Sequence, residues 1–462
     1  MVFEASTFFD LGILNGIYMI YCVVQGRVMT GRLIVVSIDA LVYEDLDHFK
    51  HLPCFSRFWN EGSRVNRVRT VYPSLTYPAH TSILTGVSSG RHTVINNEPF
   101  LPGQSPRPWF WFHDRVAVRD IHDVAKKAGL TTCSLFWPVT GNHKSVDYLI
   151  DEYWPQFKGD TLEAAYKRAG CSDELYEAVV RKREGSFRAF DSSVTDYAST
   201  EIACDIIRKY KPNLMTLHLT LVDSTRHDYG VFNDKVEQAA AKTEDFLSMI
   251  FEACREAGTF DETNFVITSD HGQLCYTRKV NLNRLLAEEG LLELDADGTL
   301  KSWDAYVESA CFSAHVYLHD PSDKALYHRV EKLLGSWCAD HTYGIGKVYT
   351  ADEARSDFGL YGDFSFVIET DQTTVFSSKL SDPVWVQCPP EVPGYGRATH
   401  GHDPDVGPQP VFLAYGPAIR KGAVIPRADI RDEAPTFAAI LGLDFPEAEG
   451  HPIRGLLKDR GI

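Results

Sequence analysis

The chain has 462 residues, of which 44% are hydrophobic and 24% charged, a composition typical of folded proteins. This composition does not predict a disordered chain. The length is sufficient for one large hydrophobic core or for two lobes. The formal net charge of −17 repels a nucleic-acid backbone, so we expect no nucleic-acid binding. The charge does not exclude a small phosphate ester, because bound metal cations reverse the local field in a cleft.

Two features bear on cellular location. The apolar run at residues 11–25 is shorter than the roughly 20 residues of a membrane-spanning helix, and no basic residue precedes it as in a signal peptide. We interpret residues 1–28 as a dispensable extension and expect no stable membrane span; a weak N-terminal membrane anchor or export is the alternative. Ten cysteines are scattered without a CxxC pair, which is typical of free thiols and predicts a cytoplasmic protein.

Apolar, β-branched runs alternate with helical patterns, which predicts an α/β fold with a mostly parallel sheet covered on both faces. Strands are predicted at residues 33–38, 213–222, 264–268 and 411–414, and helices at 116–128, 195–210, 236–257 and 432–441. The charged segment 161–188 is interpreted as a surface insertion. Short strands and one helix after residue 275 indicate a smaller α+β lobe. We therefore predict a main unit of residues 29–274 and 397–462, interrupted by an inserted lobe of residues 275–396.

Acidic residues follow three of the predicted strands. Asp39 and Asp223 come directly after the first two, and Asp270 lies two residues after the third. Ligand sites in open α/β sheets form at the carboxyl ends of the strands, so we expect the three carboxylates to share one site. Each of them taken alone is more typical of a turn or a helix cap.

The segment VYPSLTYPAHTSILTG, residues 71–86, places a hydroxyl group at the start of a predicted helix. Thr76 precedes Pro78, which is favoured in the first turn of a helix, and Gly86 ends the helical pattern. A hydroxyl group there faces unpaired backbone N–H groups and a partial positive charge, which suits both an attacking alkoxide and a phosphate oxygen. Without other residues, the pattern is more typical of an ordinary N-cap threonine.

Further aspartate and histidine residues, which commonly bind metal ions, lie near the strand ends. Asp223 and His227 occur as DxxxH in VDSTRHDYG, Asp270 and His271 are adjacent in TSDHG, and His400 lies in THGHD. Carboxylate oxygen and neutral imidazole nitrogen are usual ligands of zinc and related divalent ions. A single residue of this kind is more often a surface or core residue. Their repeated placement indicates a metal site, and the mixed shell favours zinc, with manganese as the alternative.

In this order, the motifs closely resemble the nucleotide pyrophosphatase/phosphodiesterase family of the alkaline phosphatase superfamily. The resemblance extends from about residue 32 to residue 457 and is dense only around the motifs. It implies an alkaline phosphatase-like, mostly parallel sheet flanked by helices, with the smaller lobe inserted. The matching segments are IDA at Asp39, YPSLTYPAHTSILTG, the pair Asn96 and Asn97, SLFWP at 134–138, VDSTRHDYG, SDHG, HGHD and LAYGPAIRKG.

The resemblance implies a two-metal phosphohydrolase that acts on small-molecule phosphate esters. It would cleave phosphodiester or pyrophosphate bonds of nucleotide-type substrates through a phospho-threonine intermediate on Thr76. Asn97 is implied to donate to a non-bridging phosphate oxygen, with the backbone N–H of Tyr77 as its partner. The implied ligands of one metal ion are Asp39, Thr76, Asp270 and His271, and those of the other are Asp223, His227 and His400.

Other activities stay open. A phosphonate (C–P) hydrolase of the superfamily uses the same metal set with a threonine nucleophile. A phosphomonoesterase is less favoured because no arginine motif lies near Thr76, and a sulfatase is excluded because its Cys/Ser-x-Pro-x-Arg sequence is absent. A non-catalytic metal-binding protein is the alternative of another class. Such a protein is expected to have lost a ligand or the nucleophile, whereas this chain retains all of them.

A few positions near the motifs carry separate predictions. Arg226 stands where many relatives have glycine before the histidine; such an arginine could reach the cleft, but we favour a side chain that faces solvent. His402 is not expected to be a ligand beside His400, because metal shells close once they are filled. Four aromatic residues could stack on a planar leaving group, but ordinary packing explains them as well, and no nucleobase platform is predicted. They are Tyr77, Phe136, Trp137 and Trp154.

Overall fold

A computed structural model of the chain describes residues 31–104, 106–187, 191–380, 383–389 and 397–459. The predicted extension of residues 1–28, with its alternative as a membrane anchor, lies outside the described residues. Within those ranges, no helix combines the length and the apolar character that crossing a membrane requires. The nine cysteines in the described ranges are free thiols.

The strands and helices account for most of the predicted elements. The described strands are β1 Arg32–Ile38, β2 Ser63–Arg69, β3 Thr132–Leu135, β4 Tyr148–Ile150, β5 Leu214–Leu219, β6 Thr263–Thr268, β7 Leu274–Cys275, β8 Arg278–Val280, β9 Leu292–Leu294, β10 Leu300–Trp303, β11 Ala305–Ala310, β12 Ser313–Leu318, β13 Ile345–Thr350, β14 Phe366–Thr370, β15 Thr374–Phe376, β16 Trp385–Gln387, β17 Ala398–Thr399, β18 Phe412–Tyr415 and β19 Val424–Asp429. The described α-helices are α1 Leu46–Phe49, α2 Pro53–Asn60, α3 Thr76–Thr85, α4 Ser89–His92, α5 Ile121–Lys127, α6 Leu162–Arg168, α7 Asp173–Leu175, α8 Ser192–Tyr210, α9 Leu221–Tyr229, α10 Asp234–Glu256, α11 Leu282–Glu288, α12 Lys324–Asp340, α13 Ala351–Phe358 and α14 Glu433–Leu441.

The largest sheet has eight strands in the order β19-β2-β18-β6-β1-β5-β3-β4. Strand β1 pairs in parallel with β5 and β6, and β3 continues the parallel sheet with β5 and β4. Strand β18 is antiparallel to both of its neighbours, and the other seven run in one direction. The sheet is therefore mostly parallel, as predicted, and the carboxyl ends of β1, β5 and β6 lie side by side.

Side chains of β1 alternate between two hydrophobic cores. Ile34, Val36 and Ile38 belong to the core on one face, which also contains residues of α8 and α10. Leu33 and Val35 belong to the core on the other face, which is completed by α3, α5 and α14. A strand buried on both faces needs apolar residues at nearly every position, which explains the continuous run LIVVSI.

Strands between residues 278 and 387 form three of the smaller sheets. The largest of these has the order β11-β12-β14-β13, is antiparallel throughout and packs with α11 and α12 around a separate apolar core. Strands β7 and β17 pair with each other where the chain leaves and rejoins the main unit. The predicted combination of a large α/β sheet and a smaller α+β region is confirmed, whereas the division at residues 275 and 396 stays a prediction.

Two predictions about single elements are wrong. The described part of segment 161–188, which ends at residue 187, is not a surface insertion, because Tyr166, Tyr176 and Val180 are buried in the main core. The strand predicted at 213–222 ends at Leu219, and α9 begins two residues later. Asp196 accepts the backbone N–H groups of Thr220 and Leu221 and so stabilises the first turn of α9. Asp223 therefore lies on a helix and not at a strand end.

Candidate active site

The predicted site residues come together at the carboxyl edge of the large sheet. Asp39 follows β1, and Asp270 and His271 follow β6, which pairs with β1 along its length. Asp223 and His227 lie one turn apart on α9, so they project from the same side of that helix. Thr76 begins α3, and His400 follows β17.

Thr76 is the first residue of α3 and not its cap. Leu75 occupies the N-cap position and provides no side-chain hydrogen bond, so the ordinary N-cap interpretation of Thr76 is wrong. Its hydroxyl group lies 3.1 Å from Nε2 of His271. The helix is buried along its whole length and ends at Gly86, whose φ of 69° provides the left-handed cap. The hydroxyl group is thus held rigidly at a helix N-terminus, where the backbone favours negative charge.

Asp39, Asp270 and His271 form one group beside this hydroxyl. Nε2 of His271 lies 3.1 Å from Oδ2 of Asp270 and 3.6 Å from Oδ1 of Asp39. Oδ1 of Asp270 accepts the backbone N–H of Ala40 at 3.1 Å. Neither Asp39 Oδ1 nor Asp270 Oδ2, both buried, has a hydrogen-bond partner among the described residues. Buried carboxylate oxygens without donors are the kind of atom that a cation satisfies.

Asp223, His227 and His400 form the second group. Their ligand atoms lie within 4.8 Å of one another, and Nε2 of His227 is 3.3 Å from Oδ2 of Asp223. Nδ1 of His227 donates to the carbonyl of Ala398 at 2.8 Å. In neutral His227 this bond leaves the Nε2 lone pair facing a carboxylate, which a cation between the two atoms would stabilise. Asp223 also forms a second possible metal group with Asp39 and His271, so the two sets share a carboxylate.

The pKa shifts of these residues reflect their burial and their close carboxylates. Burial raises the pKa of Asp270 well above its usual value, and the neighbouring Asp39 adds to the effect. Burial likewise raises the pKa of Asp39, with Asp223 contributing. Burial lowers the pKa of His400 to about 3, so His400 is neutral and free to act as a ligand at neutral pH. Burial opposes protonation of His227, but Asp223 raises its pKa, so a bound cation would have to replace that proton. The donor set of carboxylates and imidazoles fits a zinc-type ion.

Asn97 lies beside the N-terminus of α3. The backbone N–H of Tyr77 donates to Oδ1 of Asn97 at 3.0 Å. This bond orients the side-chain amide so that its NH₂ group remains as a donor. Asn97, Thr76 and Tyr77 all line the same cavity. The N–H of Tyr77, which the resemblance implies as a phosphate donor, is thus engaged by Asn97, and of the implied pair only the NH₂ group of Asn97 stays available beside Thr76.

The cavity next to these residues has a volume of about 610 Å³, a usual size for a small-molecule site. Tyr77, Trp109 and Trp154 form one aromatic wall, in which Trp109 meets both neighbours edge to face. A second wall consists of Phe136, Tyr166 and Phe187. Trp137 does not line the cavity; it is fully buried, and its ring lies 4.9 Å from that of His80.

Several residues that support the site were not predicted from the sequence motifs. His218, on β5, lies 3.1 Å from Oδ2 of Asp39, and Gln273 donates to the side chain and carbonyl of Asp223. His80 donates to the carbonyl of Thr76 at 2.9 Å and lies 3.4 Å from Asp270. The signal for His218 is a histidine inside the apolar strand NLMTLHLTLV, where a polar residue needs a buried partner. Gln273 carries no comparable signal.

Arg226 does not face solvent, so that prediction is wrong. Its side chain is fully buried and donates to the carbonyls of Ala40 and Val231 and to Asp45. His402 is buried as well, but it stands apart from both metal-capable groups described above. The carbonyl of His402 accepts the hydroxyl of Ser74, which fixes the loop that carries His400.

A further group of three histidines around Asp120 lies outside the cavity, and its role is to cap helix α5. Asp120 caps α5 through one carboxylate oxygen, while His113, His122 and His143 surround the other. The backbone N–H of Ser145 donates to Nδ1 of His143 at 3.0 Å, so the proton of neutral His143 is on Nε2. That nitrogen donates to Asp120 at 3.0 Å and lacks the lone pair that a metal ion requires.

Comparison with known proteins agrees with this geometry. The family model for type I phosphodiesterase/nucleotide pyrophosphatase matches residues 33–402. The human ectonucleotide pyrophosphatase/phosphodiesterase family member 1 is 22% identical over 249 residues, which are 51% of this chain and 23% of that protein. The chain thus spans about a quarter of the length of that relative. Human bis(5'-adenosyl)-triphosphatase ENPP4 is 21% identical over 443 residues, covering 92% of this chain and 80% of that protein.

Solved structures show the same fold. Murine ectonucleotide pyrophosphatase/phosphodiesterase 5 superposes with a TM-score of 0.65 at 18% identity, and the match covers 92% of this chain and 100% of the other. An inactive threonine-to-alanine variant of that murine protein, solved in complex with AMP, gives the same TM-score. The predicted fold class is confirmed by this likeness. Because the family model covers most of the chain, the protein is a member of the type I phosphodiesterase/nucleotide pyrophosphatase family, as the ordered motifs predicted.

Proposed function

We propose that this chain is a two-metal hydrolase that cleaves phosphodiester or pyrophosphate bonds of nucleotide-type substrates, with Thr76 as the nucleophile. One observation carries the proposal. The Thr76 hydroxyl group lies at the N-terminus of α3, 3.1 Å from His271, in a cavity bordered by two groups of metal-ligand residues. A structural metal site is normally closed by four protein ligands and has no free hydroxyl group in it.

The ligand assignment follows from the two groups. Asp39, Thr76, Asp270 and His271 would hold one divalent ion, and Asp223, His227 and His400 the other. Two such ions lower the pKa of a bound hydroxyl group and neutralise charge on the phosphoryl oxygens. Zinc is the preferred ion for this mixture of carboxylates and imidazoles, with manganese as the alternative.

The residues of the chain then divide the reaction into two displacements. Thr76 Oγ1 attacks phosphorus after its proton is lost, the bond to the leaving alcohol or phosphate breaks, and the leaving group departs with a proton. A phospho-threonine remains, and water displaces Thr76 in the second step, which restores the hydroxyl group and releases the phosphate ester. The NH₂ group of Asn97 donates to a non-bridging oxygen as its charge develops, and the partial positive charge at the N-terminus of α3 stabilises the same oxygens.

The aromatic cavity supports a substrate with a planar group. Trp109 and Phe187 belong to the two aromatic walls that line a space large enough for a nucleoside. The fold relative solved with AMP, an inactive threonine-to-alanine variant, agrees with a nucleotide ligand and a catalytic threonine. The lining of the cavity contains no lysine or arginine among the described residues, so a second phosphate group is expected to extend away from it.

The test compares metal-dependent turnover of four esters by wild-type protein and by Thr76→Ala. The esters are bis-p-nitrophenyl phosphate, a nucleoside 5'-p-nitrophenyl phosphate, p-nitrophenyl phosphate and phosphonoacetate, each with EDTA and with added zinc. We expect zinc-dependent cleavage of the diesters, fastest for the nucleotide ester, and its loss in Thr76→Ala. Thr85→Ala is the matched control, because Thr85 closes the other end of α3 with a bond to the carbonyl of Thr81.

The pattern of rates separates the alternatives. Preferred cleavage of phosphonoacetate or of the monoester would contradict the proposed substrate class while keeping the same nucleophile. Turnover that survives in Thr76→Ala would contradict the nucleophile. Two bound zinc ions without turnover of any ester would identify a non-catalytic metal-binding protein.

A further inference from the structure

We propose that Arg226 is a positioning residue that holds the two metal-ligand groups in register with each other. The inference rests on the proposed two-metal function and concerns a residue that touches neither the cavity nor the proposed ligands. Arg226 lies on α9 between Asp223 and His227, yet its side chain points into the protein and is fully buried. A charged side chain in that position is costly unless it makes specific bonds.

The guanidinium group of Arg226 bonds to three acceptors, two of them in the segment 40–45 after β1 and one after α9. Nε donates to the carbonyl of Ala40 at 3.2 Å, one terminal nitrogen donates to the carbonyl of Val231, and the other donates to Asp45. Ala40 follows Asp39 at the end of β1, and Val231 follows the last turn of α9. One side chain therefore ties the helix that carries Asp223 and His227 to the turn that carries Asp39.

The turn held by Arg226 has a strained backbone. Ala40 has a φ of 59°, in the left-handed region that residues other than glycine rarely adopt. In this conformation its N–H donates to Oδ1 of Asp270 while its carbonyl accepts from Arg226. A turn of this kind persists only when its surroundings hold it in place. Loss of the Arg226 bond is expected to let Ala40 relax, which moves Asp39 and removes the donor to Asp270.

Asp45 completes the link. Its Oδ2 accepts both Arg226 and the backbone N–H of Val42, so the carboxylate stabilises the same turn from its far side. Asp45 is also buried, and no other side-chain cation among the described residues contacts it within 4.0 Å. Arg226 and Asp45 thus neutralise each other and lock the segment from Asp39 to Asp45 against α9.

The test measures zinc affinity and folding stability separately in Arg226→Lys. Lysine keeps the positive charge beside Asp45, but a single nitrogen cannot reach the three acceptors that the planar guanidinium group joins. We expect a folded protein whose zinc dissociation constants, measured by competition with a chromophoric chelator, rise at least tenfold. A purely structural role would lower the unfolding midpoint and leave the zinc affinity of the folded protein unchanged, and that result would overturn the inference.

Two further variants make the result interpretable. Arg183→Met is the matched control, because Arg183 is mostly buried and bonds to one carbonyl and two carboxylates outside the cavity. We expect it to lose stability and to keep wild-type zinc affinity; an equal loss of affinity there would also overturn the inference. If Arg226→Lys fails to fold, Arg226→Met combined with Asp45→Leu removes both buried charges together and serves in its place. Wild-type protein that binds no zinc would instead overturn the proposed function itself.

Discussion

The crowded carboxylates of the site lead to a prediction about stability. We expect Asp270→Asn to stabilise the metal-free protein at pH 8 while it weakens metal binding. The oxygen of the new side-chain amide would still accept the N–H of Ala40, and its NH₂ group would face Nε2 of His271, 3.1 Å from the replaced oxygen. The substitution thus removes a charge and preserves the shape and the existing hydrogen bond of the side chain.

The magnitude follows from the distances to His271. Nε2 of that residue lies 3.6 Å from Oδ1 of Asp39 and 3.1 Å from Oδ2 of Asp270, so the two oxygens are at most about 6.7 Å apart. Two unit charges at this separation repel by about 2.5 kcal/mol at an effective dielectric constant near 20. Burial adds to this cost and raises the pKa of both carboxyl groups. We expect a gain of about 2–3 kcal/mol in the free energy of unfolding.

Whether Asp270→Asn is more or less stable than the wild type depends on the pH and on bound metal. A carboxyl group whose pKa is raised on folding does not lower the free energy of unfolding at a pH below its unfolded pKa. It lowers that free energy increasingly as the pH rises above this value. The variant and the wild type should therefore be equally stable near pH 4 and differ at pH 8. Zinc at about a thousand times its dissociation constant stabilises the wild type by roughly 4 kcal/mol, which reverses the order.

The assay is urea unfolding followed by tryptophan fluorescence, at both pH values, with EDTA and with zinc. Asp120→Asn is the matched control, because burial opposes ionisation of Asp120 but His143 and the neighbouring histidines lower its pKa well below the usual value. Asp120→Asn should therefore destabilise the protein at pH 8. A metal-free Asp270→Asn protein that is less stable than the wild type at pH 8 would refute the reasoning.

Three shorter predictions concern the nucleophile, the cavity and a buried glutamate. Thr76→Ser should retain zinc-dependent turnover of a diester in a rate assay, because the hydroxyl group is kept. Trp109→Ala should raise KM for the nucleoside ester about tenfold, through loss of stacking, and leave KM for methyl p-nitrophenyl phosphate nearly unchanged. Burial raises the pKa of Glu369 to about 8 despite a bond from Tyr72, so wild-type stability should fall from about pH 4.5 to pH 8. Glu369→Gln should flatten that decline in urea midpoints measured at pH 5 and pH 8; an unchanged slope would contradict it.

The sequence by itself determined the fold class and the family, and it predicted which residues meet in the candidate site. Buried strands need continuous apolar residues, so LIVVSI and NFVIT identified β1 and β6, and the acidic residues after them marked the edge where the predicted site residues meet. The helix start at Thr76 and the family membership could also be predicted from the sequence, because both depend on short contiguous patterns. The metal roles of individual residues remain predictions until the ions are measured.

Only the tertiary structure decided which polar residues support the site. Arg226 reads as a solvent-exposed residue of a polar helix, and its burial depends on Ala40, Asp45 and Val231, which are brought to it by folding. Segment 161–188 looks like a charged insertion, yet its Tyr166 forms part of the cavity wall. A local pattern records the periodicity of one element, whereas hydrogen bonds and cavity walls join residues far apart in sequence, and only the packed chain fixes those partners.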